Sequence, residues 1–177
     1  MQQASWGPLN KTIYCSTNRG RVFILDASTG ETIKSEKLHS GEVLSFSFSK
    51  DQLMLFTSSQ DGALCIWRTE TGEQLGKIKQ STAAISAFAL SYDSEIILAA
   101  TVTEGLNVFK CKTGELVNTV DKEFKTQRGR GIDLSLGDRE VLFLVDREGA
   151  SYIRVFPYDQ VRTKGKEVHV SREFLAS

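Results

Sequence analysis

Three Thr-Gly-Glu triplets, Thr29-Gly30-Glu31, Thr71-Gly72-Glu73 and Thr113-Gly114-Glu115, stand 42 residues apart along the chain. Apolar positions keep the same interval: Leu25, Trp67 and Phe109; Ile24, Ile66 and Val108; Ile13, Leu55 and Ile97; Ile33, Leu75 and Val117. Ser49-Lys50-Asp51 returns as Ser91-Tyr92-Asp93 at that spacing. A period held in several registers at once is an internal repeat, and each unit must then build the same supersecondary structure. A further unit follows in drifting register. Phe88-Ala89-Leu90-Ser91 returns as Ile132-Asp133-Leu134-Ser135 and Val108-Phe109 as Val155-Phe156, so short insertions are expected in its loops.

Within a unit the period is two. Val43, Ser45, Phe46 and Phe48 predict a first strand, Leu53 to Thr57 a second, Leu64 to Trp67 a third and Gln74 to Ile78 a fourth. Lys50-Asp51, Gln60-Asp61-Gly62 and Thr69 to Gly72 separate them. Asp-Gly between apolar runs favours a tight hairpin, because Gly accepts the positive φ that such turns require. The chain has only two prolines, and no helical pattern of useful length stands out. Four short antiparallel strands in about 40–45 residues predict the blade of a β-propeller. The fold class expected is therefore all-β, with about four four-stranded blades over repeat units of approximately 1–38, 39–80, 81–121 and 122–177, together one partial propeller at 1–177. A blade has two apolar faces and hides them only by stacking on its neighbours, about 10 Å apart.

The second unit carries His39 ahead of its first strand, Thr57 on its second, Asp61 in the following turn and Trp67 on its third. In this pattern it resembles the WD-repeat family, whose members join these side chains in a hydrogen-bonded tetrad. The chemistry is sensible: a buried carboxylate needs donors, and an imidazole, a hydroxyl and an indole N–H can complete the relay. The Trp-Asp signature itself is degenerate, as Leu25-Asp26, Trp67-Arg68, Phe109-Lys110 and Phe156-Pro157. Arg19 and Thr103 occupy the Asp position of the first and third units, so the resemblance implies no tetrad there. Rings of this family usually have seven blades, which makes the chain an expected part of such a ring; a closed four-bladed ring is the alternative.

Residues 4 to about 91 more narrowly resemble the family of WD-repeat i subunits of the eukaryotic translation initiation factor three. The carriers are Trp6-Gly7-Pro8-Leu9, the hairpin Asn18 to Arg21, Ser28-Thr29-Gly30-Glu31, Glu36-Lys37-Leu38-His39-Ser40, Ser49-Lys50-Asp51 and Phe56 to Asp61. This resemblance implies a non-catalytic scaffold in translation initiation, with the b and g subunits as partners and the small ribosomal subunit complex contacted indirectly. From Tyr92 onward the blade pattern continues without that family's distinctive sequence. Another cytosolic WD-repeat adaptor, in signalling, degradation or trafficking, is the alternative, and a propeller enzyme ranks last.

Charge and chemistry narrow the choice further. Lys and Arg number 22 against 22 Asp and Glu, which removes the excess of cations a general nucleic-acid binder uses. No apolar run approaches the roughly 20 residues that span a bilayer, and Met1 to Leu9 lack the pattern of a secretory signal, so a cytoplasmic location is expected. The sequon Asn10-Lys11-Thr12 then has no role. Cys15, Cys65 and Cys111 lack metal-ligand spacing and are expected to be buried thiols, with no metal and no cofactor. His39 and His169 are the only histidines, no nucleophile elbow or phosphate-cradling loop occurs, and Asp51, Asp93 and Asp138 fall in predicted hairpin turns. No catalytic residue and no small-molecule substrate are therefore expected. The longest predicted loop runs from Asp121 to Arg130, with Gly129-Arg130-Gly131 as its flexible end. Its Lys122, Lys125, Arg128 and Arg130 are candidate partner contacts, since arginine can grip a carboxylate or phosphate with two parallel bonds. Arg162, Lys164 and Lys166 form a second basic stretch, and Glu167 to Ser171 predict an outer strand with His169 facing solvent.

Overall fold

The computed structural model describes residues 3–79, 83–102, 105–120, 128–135, 137–147, 149–163 and 168–176. The chain divides into two compact units, Met1–Ala84 and Ile85–Ser177. Each holds two four-stranded sheets. In the first unit these are β1 (Ala4–Trp6), β2 (Thr12–Ser16), β3 (Arg21–Asp26) and β4 (Thr32–Lys37), then β5 (Val43–Phe48), β6 (Met54–Ser59), β7 (Leu64–Arg68) and β8 (Gln74–Ile78). In the second they are β9 (Ile85–Leu90), β10 (Ile96–Thr101), β11 (Leu106–Lys110) and β12 (Leu116–Val120), then β13 (Arg128–Leu134), β14 (Glu140–Arg147), β15 (Ala150–Pro157) and β16 (Arg172–Ala176). Strands lie in chain order within every sheet and pair antiparallel. The period-two pattern follows from that pairing, since successive side chains leave opposite faces.

The Thr-Gly-Glu triplets build one turn three times, between the third and fourth strands of a sheet. The Thr hydroxyl accepts the N–H of the Glu two residues on, at 3.2 Å for Thr29, 3.2 Å for Thr71 and 3.3 Å for Thr113. Gly30, Gly72 and Gly114 have φ of 74°, 73° and 67°, which L side chains adopt only with strain. The Gly N–H reaches back to the carbonyl four residues before it, of Asp26, Arg68 and Lys110. In the fourth sheet this turn is replaced by an insertion that begins with the single helical turn α1 (Tyr158–Val161), which buries Tyr158 and Val161. The turns between first and second strands also repeat. Ser49 and Ser91 hydroxyls bond Asp51 and Asp93, whose carboxylates accept the N–H groups of Leu53 and Glu95. Asp138 instead stands in left-handed backbone and accepts the Tyr92 N–H at 2.7 Å, joining the turns of adjacent sheets.

Facing sheets bury their apolar residues against one another. In the first unit Tyr14 and Val22 pack with Val43, Phe46, Leu55, Cys65 and Trp67. In the second, Leu98, Leu106 and Val108 pack with Val141, Phe143 and Phe156. Each such side chain contributes roughly 1.5–3 kcal/mol on burial, so the sheets depend on their neighbours.

The structure corrects several details read from the sequence. Leu53 is not in the second strand; it is an exposed turn residue ahead of β6. Gly129-Arg130-Gly131 is not a flexible loop. It lies on β13, where a bulge between Gly129 and Gly131 interrupts pairing with β14, and that irregularity hides the strand's alternation. The outer strand of the fourth sheet is Arg172–Ala176 and not 167–171. Arg172 pairs with Glu140, and Glu173 with Arg154, which sets the register. His169 is exposed but lies ahead of that strand, and Glu167 is outside the described residues.

Candidate functional site

His39 stands in the connection from β4 to β5, Thr57 on β6, Asp61 in the turn from β6 to β7, and Trp67 on β7. The sheet brings them together. The Trp67 indole N–H donates to Thr57 Oγ1 at 2.8 Å, and Thr57 Oγ1 lies 2.8 Å from His39 Nε2. His39 Nδ1 lies 3.2 and 3.3 Å from the two Asp61 carboxylate oxygens. One assignment of protons satisfies every partner: Nδ1–H donates to the carboxylate, and Nε2 accepts the Thr57 O–H while that oxygen accepts from Trp67. The imidazole is then neutral. Burial agrees, because it pushes the His39 pKa down more than the neighbouring Asp61 charge raises it.

Asp61 ties two loops together. Its carboxylate accepts the Ser40 N–H at 3.0 Å, the Ser40 hydroxyl at 3.2 Å and the Ala63 N–H at 3.0 Å. Burial raises the Asp61 pKa, but these N–H groups and His39 outweigh it and hold the carboxyl below its ordinary range. Spacing within one repeat did not point to Gly20, which comes from the preceding sheet. Its carbonyl accepts both Leu38 and His39 N–H groups, at 2.9 and 3.1 Å. Its φ is +76°, and a Cβ there would stand 2.1 Å from the His39 carbonyl oxygen. The one sequence signal for it is a Gly in a short hairpin.

This cluster has no chemistry to offer a substrate. His39 and Thr57 are buried, and both imidazole nitrogens and the hydroxyl are engaged. The thiols are no better placed. Cys15, Cys65 and Cys111 are all free and buried, and burial pushes Cys65 and Cys111 each up to about 11. The arrangement is a pin that holds turns in place. Arg19, at the Asp position of the first sheet, is exposed, and Thr103 lies outside the described residues. Lys122, Lys125, Lys164 and Lys166 also lie outside them, while Arg128 and Arg130 stand on β13 and not in a loop. Among the described residues no three His, Cys, Asp or Glu side chains are grouped to hold a metal, and no helix is long and apolar enough to cross a membrane.

Residues 30–68, which include the whole cluster, match the family described as WD domain, G-beta repeat. This stretch is a WD repeat. Among curated proteins, Eukaryotic translation initiation factor 3 subunit I of Dictyostelium discoideum is 41% identical over 59 residues, which is 33% of this chain and 18% of that protein. A chain in the crystal structure of the Mitotic Checkpoint Complex superposes with a TM-score of 0.80 at 18% identity, covering 99% of this chain and 52% of the other. The Cps50 (Swd1) beta-propeller domain of Myceliophteria thermophila gives 0.80 at 13% identity, covering 98% and 55%. The computationally designed Ika8 protein gives 0.73 at 15%, covering 97% and 48%. At such identities the likeness is one of fold: an all-β, WD40-type β-propeller. The chain spans about half the length of these solved chains and 18% of the curated relative.

Proposed function

We propose that this WD-repeat chain is a non-catalytic protein–protein interaction scaffold, a cytoplasmic subunit of the eukaryotic translation initiation factor three complex acting in translation initiation. The observation that carries the reading is the 41% identity over 59 residues to subunit I of that factor. The pinned turns agree with a scaffold, since they spend the buried His39 and Thr57 side chains on rigidity. The partners proposed are other initiation-factor subunits, b and g in particular, with the small ribosomal subunit complex reached through them. Lys122, Lys125, Arg128 and Arg130 are proposed as contacts for an acidic partner surface. A second reading is an adaptor in another cytosolic process, favoured by the fact that the match covers only 33% of the chain.

Affinity purification of the tagged chain from its native cell, after nuclease treatment, separates the two. Initiation-factor subunits among the recovered proteins support the first reading. Recovery of other complexes with no such subunit would overturn it in favour of the adaptor.

A further inference from the structure

A cavity of about 220 Å³ opens within the first unit, between its first sheet and the turn from β7 to β8. Tyr14, Val22, Ile24, Leu55 and Trp67 give it an apolar wall. Pockets that enclose whole small molecules run about 300–1,000 Å³, so this one suits a single large side chain. Exposed apolar residues continue from its mouth. Ile33 lines it at 59% exposure, and Leu53, exposed at 63%, accepts a backbone hydrogen bond from the lining residue Thr69. Apolar surface of this kind around a concavity marks a docking site.

Two features specify the occupant. Thr69 lines the cavity and its Oγ1 is buried just behind that lining with no hydrogen-bond partner among the described residues, so an apolar body carrying one donor or acceptor, which the hydroxyl can turn to meet, fits better than a purely aliphatic one. The charges at the mouth are the second feature. Lys34 pairs with Glu36 at 3.1 Å and Arg68 with Glu73 at 3.4 Å, whereas the Glu70 carboxylate has no partner among the described residues. Its complement is a cation. We propose that this cavity docks a protein segment presenting a Tyr or Trp side chain beside a Lys or Arg. The ring lies against Tyr14 and Trp67, its O–H or N–H meets Thr69, and the cation meets Glu70. Aromatic anchors with a polar edge are the side chains that most often dominate such contacts. The inference rests on the scaffold reading and adds to it the place and the chemistry of one contact.

The test uses the full 177-residue chain carrying Trp6→Phe, which leaves Trp67 on the cavity wall as the sole indole. Trp67 fluorescence is followed during titration with the peptide acetyl-Arg-Tyr-Arg-amide. Saturable quenching is expected, weakened about fivefold by Glu70→Arg and lost in Ile33→Asp. Both substitutions are at exposed positions, and circular dichroism confirms that the variants fold. The matching Phe peptide is expected to bind less tightly to the parent chain and equally to Thr69→Val. Absence of saturable quenching, unchanged affinity in Glu70→Arg, or equal binding of acetyl-Glu-Tyr-Glu-amide overturns the proposal. Failure here with initiation-factor subunits still recovered removes this site and keeps the scaffold reading. Peptide binding without those subunits keeps the site and removes the translation assignment.

Discussion

Replacing Thr57 by Val removes one oxygen from the centre of the first unit and keeps the branched shape of the side chain. That oxygen accepts the Trp67 indole N–H and bonds His39 Nε2, each at 2.8 Å, and the residue has no exposed surface. The substitution therefore strands two buried polar groups where water does not reach them. Each such group costs about 1–3 kcal/mol. The costs do not add fully, because His39 keeps its bond to Asp61, and the added methyl group recovers about 0.8 kcal/mol of apolar burial. The net loss comes to about 2–3 kcal/mol, a large share of the roughly 5–15 kcal/mol that holds a domain folded. For a chain of this size that is a fall in Tm of about 4–12 °C. Both tryptophans, Trp6 and Trp67, belong to the first unit, so intrinsic fluorescence reports that unit during urea or thermal unfolding. Cys15 is the internal control. It occupies the same repeat position 42 residues earlier, is equally buried, and stands in a sheet with Leu25 at the Trp position. Cys15→Val should cost less than about 1.5 kcal/mol. Equal losses at the two positions would show that the hydroxyl contributes only packing, and the relay would have no energetic meaning.

Three further outcomes follow from the same geometry. His39 has a folded-state pKa below its unfolded 6.5, so the unfolded chain takes up the proton first; stability is level above that pH and falls as pH drops from 6.5 through the folded value. Asp61 is held below 3.8, so its contribution is present above that pH and is lost as pH falls through its folded value. Urea midpoints across mildly acidic pH should show the first step, and His39→Gln should flatten it. Gly20→Ala should cost more than Gly30→Ala: both have positive φ, but only at Gly20 does the added Cβ meet backbone, 2.1 Å from the His39 carbonyl oxygen, while Gly30 has nothing within 4 Å. Chemical denaturation of the two variants checks it, with Gly30→Ala losing about 1–2 kcal/mol. Finally, the buried thiols, with Cys65 and Cys111 pushed up to about 11, should react slowly with a disulfide reagent at neutral pH and quickly in urea.

What could be read from the sequence was whatever a single repeat contains. Thr-Gly-Glu is visible because one short turn uses all three residues locally: a hydroxyl acceptor, a positive φ, and an N–H to receive. His39, Thr57, Asp61 and Trp67 are readable for the same reason, lying within 28 residues of one another around two hairpins. Where a position is decided by a residue outside its own repeat, or by a distant strand, the pattern is silent or misleads. Gly20 aligns His39 from the preceding sheet, yet on its own it is only a glycine in a turn. Val168 and Val170 alternate like a strand, but the fourth strand forms at Arg172–Ala176, because Arg172 must meet Glu140, 32 residues earlier, and Glu173 must meet Arg154. The cavity wall belongs to this second class as well. Tyr14 and Val22 come from one sheet and Leu55 and Trp67 from the next, so neither repeat alone contains the site. Repetition thus explains why the sheets form, and the differences between neighbouring repeats explain what their junctions can bind. A partner that distinguishes this chain from other stacks of the same unit must read those differences, and Glu70 and Ile33 present them at the surface of one junction, with the Thr69 hydroxyl buried beneath.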